Sequence, residues 1–237
     1  MHRFFVPAGQ ADAAGLTIDD RDTVAHIRKT LRLKPGDTVE FFDGEGNIYT
    51  AELTFVSSTS VSAEVTEHRF EQRPERPLVI LAQAAPQAGK ITDILRMNTE
   101  VGVDGFILFE SEFGQGRLRD GKEERLERIV REAARQSERA WLPELAVRKD
   151  FAAAVSGEYT RKLFLSAREE QGAVDISSVK ESLGSGDKVL VCVGPEGGFS
   201  PAEKQLALEN GAEPVHLNLP VMRTQTAGIV VAAILLY

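Results

Sequence analysis

From Leu78 onward, short apolar runs alternate with stretches of helical period, and few architectures accommodate that rhythm. Leu78–Ala82, Phe106–Phe109, Lys162–Leu165, Lys188–Val193 and Pro214–Leu219 read as strands. Between the first two, Lys90–Val101 sets Ile91, Ile94, Leu95 and Val101 on one helical face, and Lys122–Ala140 does the same with Leu126, Ile129, Val130 and Ala133. A short helix near Phe151 follows, and a last one runs to Tyr237. Such alternation predicts an α/β fold: a mainly parallel sheet covered by helices on both faces.

The residues before Leu78 follow a different period. His2–Val6, Thr38–Phe42, Ile48–Phe55 and Ser60–Val65 are strand candidates, punctuated by Lys34-Pro35-Gly36-Asp37 and Asp43-Gly44-Glu45-Gly46-Asn47. One helix, Asp22–Leu31, groups Val24, Ile27 and Leu31. A small β-barrel with an inserted helix is expected. The sharpest compositional break, Glu71-Gln72-Arg73-Pro74-Glu75-Arg76-Pro77, reads as an interdomain linker because proline stiffens a connection and cannot donate to a ladder. The expected domains are residues 1–73 and 78–237.

Composition removes several classes of function. With 28 basic against 36 acidic side chains, a net charge of −8, the chain is unsuited to coating nucleic acid indiscriminately, although a local basic patch remains possible. Cys192 is the only cysteine, which excludes an intrachain disulfide and a thiolate zinc site and points to a reducing, cytoplasmic compartment. His2, His26, His68 and His216 show no ligand spacing, so no metal is expected. The N-terminus has no signal-peptide run, and the longest apolar stretch, Ala227–Tyr237, falls well short of the ~20 residues that span a bilayer.

Two strand-to-helix junctions carry the strongest chemical signals. Val189-Leu190-Val191-Cys192-Val193 runs into Gly194-Pro195-Glu196-Gly197-Gly198-Phe199, then Ser200-Pro201-Ala202-Glu203, which has capping-box form with proline at the first helical position. Open α/β sheets bind ligands at such loops. The segment has neither the Gly-Lys-Ser/Thr of a phosphate loop nor dinucleotide glycine spacing. Glu196 would repel a phosphate, so a ligand with hydroxyls or an ammonium group suits it better; a plain tight turn is the competing reading. The second junction, Pro220 to Thr226, could face the first across one cleft. There Arg223 could bind an anion by charge-assisted hydrogen bonds, or be a solvated charge beside a Thr224 helix cap.

Two basic stretches differ in character. In Lys122–Ala140, arginines alternate with glutamates at i, i+4 spacing, the pattern of a salt-bridged exposed face. His26-Ile27-Arg28-Lys29-Thr30-Leu31-Arg32-Leu33-Lys34 contains no acid, which suits an RNA backbone as well as it suits a charged helix end. Cys192 lies in an apolar strand and reads as inert core, and Trp141 beside Pro143 as packing.

His2-Arg3-Phe4-Phe5-Val6, the His26–Lys34 segment with Pro35-Gly36-Asp37, Thr99-Glu100-Val101-Gly102-Val103, Glu132-Ala133-Ala134-Arg135-Gln136-Ser137-Glu138-Arg139, Gly194–Gly198 and Arg223-Thr224-Gln225-Thr226-Ala227 occur in this order. Together they resemble the RsmE family, which methylates N3 of one uridine in 16S ribosomal RNA with S-adenosylmethionine. The resemblance spans nearly the whole chain. It implies a PUA-like barrel followed by a SPOUT domain with a C-terminal trefoil knot, and a cytoplasmic homodimer. It implies a cofactor site built from Gly194, Pro195, Glu196, Gly197 and Gly198 together with Leu217, Asn218, Leu219, Val221, Met222, Arg223, Thr224 and Thr226. Arg3, His26, Arg28, Lys29, Arg32, Lys34, Gln136 and Arg139 would meet 16S RNA or the small ribosomal subunit.

The sequence departs from that pattern where Gln225 replaces an acid, Pro220 and Phe113 replace arginines, and Met97 replaces a lysine. The implied chemistry is direct methyl transfer to N3, with Arg223 favouring the anionic base. The target base must be unstacked to react. A SPOUT-fold protein that binds RNA without turnover, or one that methylates another RNA, are the alternatives.

Overall fold

The computed structural model describes every residue except 13–14, 88, 119–120, 122 and 168–169. The chain forms two compact units: Met1–Pro74 with Ala134–Leu142, and Glu75–Ala133 with Pro143–Tyr237.

In the first unit, β1 (His2–Phe5), β2 (Leu16–Ile18), β3 (Thr38–Phe42), β4 (Asn47–Val56) and β5 (Val61–Phe70) form one sheet in the order β1-β3-β4-β5-β2. Among these strands β1 and β3 pair in parallel and the other pairs run antiparallel. Helix α1 (Arg21–Ala25), capped by the Asp20 carboxylate, continues into a π-helical turn, His26–Thr30. Phe4, Ile27, Val39, Phe41, Leu53 and Val61 centre the core. A second cluster joins Phe42 and Ile48 to Ala134 and Ala140, with Trp141 and Leu142 packed against it. Trp141 is structural: its indole N–H donates to the Glu71 carbonyl (2.8 Å), Phe70 meets it edge-on and the Arg73 guanidinium lies 4.4 Å from the ring.

The second unit holds β6 (Leu78–Ala84), β7 (Gly105–Glu110), β8 (Glu144–Asp150), β9 (Arg161–Leu165), β10 (Val174–Asp175), β11 (Lys188–Val193) and β12 (Ala212–His216). They form a parallel sheet ordered β10-β12-β9-β11-β6-β7-β8. Alternate residues serve opposite faces. Val79, Leu81, Val189 and Val191 pack with α2 (Lys90–Val101), α3 (Glu123–Gln136), α5 (Ile176–Glu181) and α7 (Thr224–Leu236), whereas Ile80, Ala82, Leu190 and Cys192 pack with α4 (Phe151–Val155) and α6 (Pro201–Glu209). The α/β architecture expected from the alternation is therefore present.

Two expected boundaries are corrected. The helix expected to reach Ala140 ends at Gln136, because Glu138 takes a left-handed φ of 58° that no α-helix continues through; its expected first residue, Lys122, lies outside the described residues. The strand expected over Pro214–Leu219 instead ends at His216, and Asn218 turns the chain with φ 51°, a conformation asparagine tolerates better than most side chains. The Glu71–Pro77 segment is not free polymer at its far end. Arg76 grips both carboxylate oxygens of Asp104 (2.7 and 3.2 Å) and donates to the Gly102 and Pro77 carbonyls.

Candidate active site

Strand β11 delivers its last buried residue, Val193, to the glycine loop, whose far end is anchored by Phe199 among the rings of Phe109, Phe151 and Phe164. The capping box at the start of α6 is complete: the Ser200 hydroxyl accepts from the Glu203 amide and the Glu203 carboxylate from the Ser200 amide. Glu203 also accepts from Ser111 Oγ (3.2 Å) and the Glu112 amide (3.1 Å), tying the loop after β7 to this junction. Anchored at both ends, the loop leaves Glu196, Gly197 and Gly198 exposed. Gly198 has φ 74°, which favours glycine, and its amide donates to the Pro195 carbonyl. A Cβ at Gly197 would lie 3.3 Å from Phe113 Cβ. The Glu196 carboxylate accepts from Lys90 Nζ at 2.9 Å, and that hydrogen bond holds its pKa below the usual carboxylate range, keeping it charged.

The second junction runs from Leu217 to Arg223. Asn218, Leu219, Pro220 and Val221 are exposed, Val221 fully so, and Met222 is half-buried. Arg223 is exposed at the N-cap position of α7. Thr224 does not cap that helix. It is buried, and its Oγ1 donates to the Gly194 carbonyl at 2.7 Å while accepting from Gln83 Nε2 at 2.9 Å. One hydroxyl thus joins the two junctions, directly, across 30 residues of sequence. Thr226, further along the first turn, is exposed.

The basic residues gather on the first unit. Arg28, Lys29, Arg32 and Lys34 are exposed, and none of them makes an ion pair among the described residues. His26 is half-buried edge-on to Phe4. Gln136 is exposed and Arg139 half-buried in the Ala134–Leu142 segment of this same unit. Arg3 requires a correction. It is 7% exposed, paired with Glu40 (3.2 Å), donating to the Arg139 carbonyl (3.0 Å) and lying over the Phe42 ring. A guanidinium so enclosed holds the unit together and is not presented to nucleic acid.

Cys192 is fully buried, and burial pushes its thiol up to about 12, so it carries no thiolate chemistry at neutral pH. Among the described residues no cluster of His, Cys, Asp and Glu could hold a metal ion, and no helix is long and apolar enough to cross a membrane.

An RNA methyltransferase domain family matches residues 74–236, and an RNA methyltransferase PUA domain family matches residues 18–66. Ribosomal RNA small subunit methyltransferase E of Synechocystis is 33% identical over 212 residues, 88% of this chain and 68% of that protein. The chain belongs to the ribosomal RNA small subunit methyltransferase E family. The Bacillus subtilis member is 30% identical, covering 96% of this chain and 93% of its own length. Among solved structures, the Neisseria gonorrhoeae member bound to S-adenosyl methionine superposes with a TM-score of 0.84 at 26% identity, over 98% of this chain and 95% of that one.

Of the four residues at which the sequence departs from the resembled pattern, Pro220 and Gln225 lie at the second junction and Phe113 beside the first. Phe113, 49% exposed, is the residue whose Cβ faces Gly197. Pro220 is exposed in the second junction, and Gln225 is half-buried in the first turn of α7, its Oε1 without a hydrogen-bond partner among the described residues. Met97 is half-buried on α2. Two residues that the sequence did not single out, Lys90 and Gln83, hold the junctions. Their partners lie 106 and 141 positions away, beyond the reach of any local pattern.

Proposed function

We propose that the protein transfers a methyl group from S-adenosylmethionine to N3 of a uridine in 16S ribosomal RNA. The observation that carries this reading is the Thr224–Gly194 hydrogen bond, because it brings together the two loops that we assign to the cofactor. The loops suit that ligand. The exposed stretch of the first loop (Glu196, Gly197, Gly198) offers open backbone and an ionised carboxylate able to accept from ribose hydroxyls. Leu219 and Val221 are exposed apolar side chains able to cover a purine face.

The cofactor supplies an electrophilic methyl group. The chain's own contribution is position and charge: holding donor and acceptor in line accounts for a large part of such accelerations. N3 of uridine is a neutral imide whose proton must leave. Arg223, exposed and without an ion pair among the described residues, favours the anionic base electrostatically. Gln225 is an amide and accepts no proton at neutral pH. RNA docks on Arg28, Lys29, Arg32 and Lys34, with His26, Gln136 and Arg139 on the same unit, in the cytoplasm, and the target base is unstacked to react.

The deciding experiment incubates purified protein, labelled S-adenosylmethionine and unmethylated 16S RNA or small subunits, then reads the digested RNA by mass spectrometry. A 3-methyluridine product is expected. A Gly197→Val variant, which must push Phe113 and close the exposed backbone, is expected to lose cofactor affinity by at least about tenfold while remaining folded. Tight RNA binding with no methyl transfer would favour the second reading, an RNA-binding protein without turnover, for which Gln225 and Phe113 in place of charged residues speak.

Homodimerisation and the knotted threading of the C-terminal stretch belong to the same proposal. From Ala227 onward helix α7 is apolar on every side, yet Ile229, Val230, Ala233 and Ile234 are only half-buried within one chain. A second copy related by a two-fold axis would cover them. Light scattering at micromolar concentration is expected to give the mass of two chains; one chain's mass would remove the dimer.

A further inference from the structure

The side chain of Gln83 is polar in an otherwise apolar strand, and its hydrogen bonds lead to both junctions. Gln83 is fully buried in β6, directly opposite Val193, the residue that precedes the glycine loop. Its Nε2 lies 2.9 Å from Thr224 Oγ1, 3.1 Å from the Ala84 carbonyl and 3.5 Å from the Val193 carbonyl. Two of those three neighbours are carbonyl oxygens, which only accept, so the amide nitrogen must face them; the reversed amide would set oxygen against oxygen. The direction of the next bond follows. Because Gln83 donates to Thr224, the threonine proton is free to go to Gly194, which it meets at 2.7 Å. A single directed chain, Gln83 to Thr224 to Gly194, links the ends of β6 and β11 to the first turn of α7. Bonds in such a chain strengthen one another, and inside a core they favour one geometry.

We infer that Gln83 is a positioning residue that holds the two cofactor loops in register, acting through Thr224 and touching no ligand itself. The consequence for the cofactor rests on the function proposed above; the consequence for the loops does not. Gln83→Met keeps the length of the side chain and removes the donor. Thr224→Val keeps the shape and removes the hydroxyl, whereas Thr224→Ser restores it. Gln83→Glu is the sharpest variant. A carboxylate accepts only, but burial raises the pKa of a carboxyl group, and the protonated acid donates as the amide does.

Hydrogen exchange on the ligand-free protein comes first. Gln83→Met and Thr224→Val should each accelerate exchange in Gly194–Gly198 and in the 217–223 segment together, leaving β6 and β11 protected. Calorimetry follows. Both variants should bind S-adenosylmethionine about tenfold more weakly, the factor one net hydrogen bond is worth. Combined, they should lose little more than either alone, because they break the same chain. Thr224→Ser should retain affinity. Gln83→Glu should bind more tightly as pH falls from about 8 to about 6, a trend that should be missing from the wild type and from Gln83→Met. Unchanged exchange in either loop, or a folded Gln83→Met with wild-type affinity, overturns the inference. Wild-type protein that fails to bind the cofactor while both loops loosen in Gln83→Met would overturn the proposed function and leave the positioning role standing.

Discussion

Reversing Arg28 and Arg32 to glutamate is expected to weaken RNA binding by about 100-fold near physiological salt and to flatten its salt dependence by about 1.5 units of slope. Each phosphate contact releases a condensed counterion, worth roughly 0.7–0.9 in the logarithmic slope, so two lost contacts account for the flattening. Reversal, unlike neutralisation, adds repulsion and deepens the loss of affinity. The patch is set apart by what its side chains do not do. Arg28, Lys29, Arg32 and Lys34 form no ion pairs among the described residues, whereas Arg69 on the same unit is committed to Glu40 and Glu71. The backbone beneath is also unusual. Residues His26–Thr30 wind as a π-helical turn and Arg32 follows with φ 57°, both features that tend to collect at functional sites. Cofactor affinity should not change, since the two proposed cofactor loops belong to the other unit. Filter binding across a salt series is the measurement, and an unmoved slope would reduce the patch to a solvated surface.

Arg76→Ala is expected to destabilise the second unit by about 3–5 kcal/mol, the usual result of removing one partner of an enclosed ion pair. Asp104 is 9% exposed and holds the Arg76 guanidinium with both oxygens, one of which also accepts from the Val79 amide at 3.0 Å. Without Arg76, that enclosed carboxylate loses the guanidinium facing both of its oxygens, and the Gly102 carbonyl at the end of α2 loses its donor. Urea denaturation followed by far-ultraviolet circular dichroism should show the midpoint falling at unchanged slope. Arg76→Met/Asp104→Leu, which removes both charges, should recover much of the loss; a double variant as unstable as the single one would show that the charge was not the cause.

Some of this molecule is legible in its residues, and the exceptions share a physical reason. Thr38–Phe42, Lys90–Val101 and Lys188–Val193 appear with the expected bounds, each supported by agreement between periodicity and a flanking breaker such as Gly36 or Gly102. Strand β8, β2 and the two-residue β10 escaped. All three are edge strands, and β8 in particular has a half-wet face and charged residues at its end, so hydropathy alone cannot separate it from a loop. The glycine junction was readable because its capping box is local. Thr224 was visible as a residue but not as a tie, since a threonine at a helix start looks the same whether its hydroxyl caps the helix or crosses to another loop. Arg3 is assigned to RNA by the resemblance alone, and its burial, made tolerable by the Glu40 carboxylate and the Arg139 carbonyl, depends on partners far along the chain.

The segment Ala134–Leu142 has a consequence for biosynthesis. The first unit buries Phe42 and Ile48 against Ala134 and Ala140, and covers them with Trp141 and Leu142. During translation the strands that carry Phe42 and Ile48 leave the ribosome well before those covering residues exist, because Glu75–Ala133 must be synthesised in between. At usual elongation rates of about 5–20 residues per second that interval is on the order of several seconds. The nascent first unit therefore spends it with an apolar seam open to water, and a ribosome stalled between residues 75 and 133 would hold a chain whose first unit has nothing to close it.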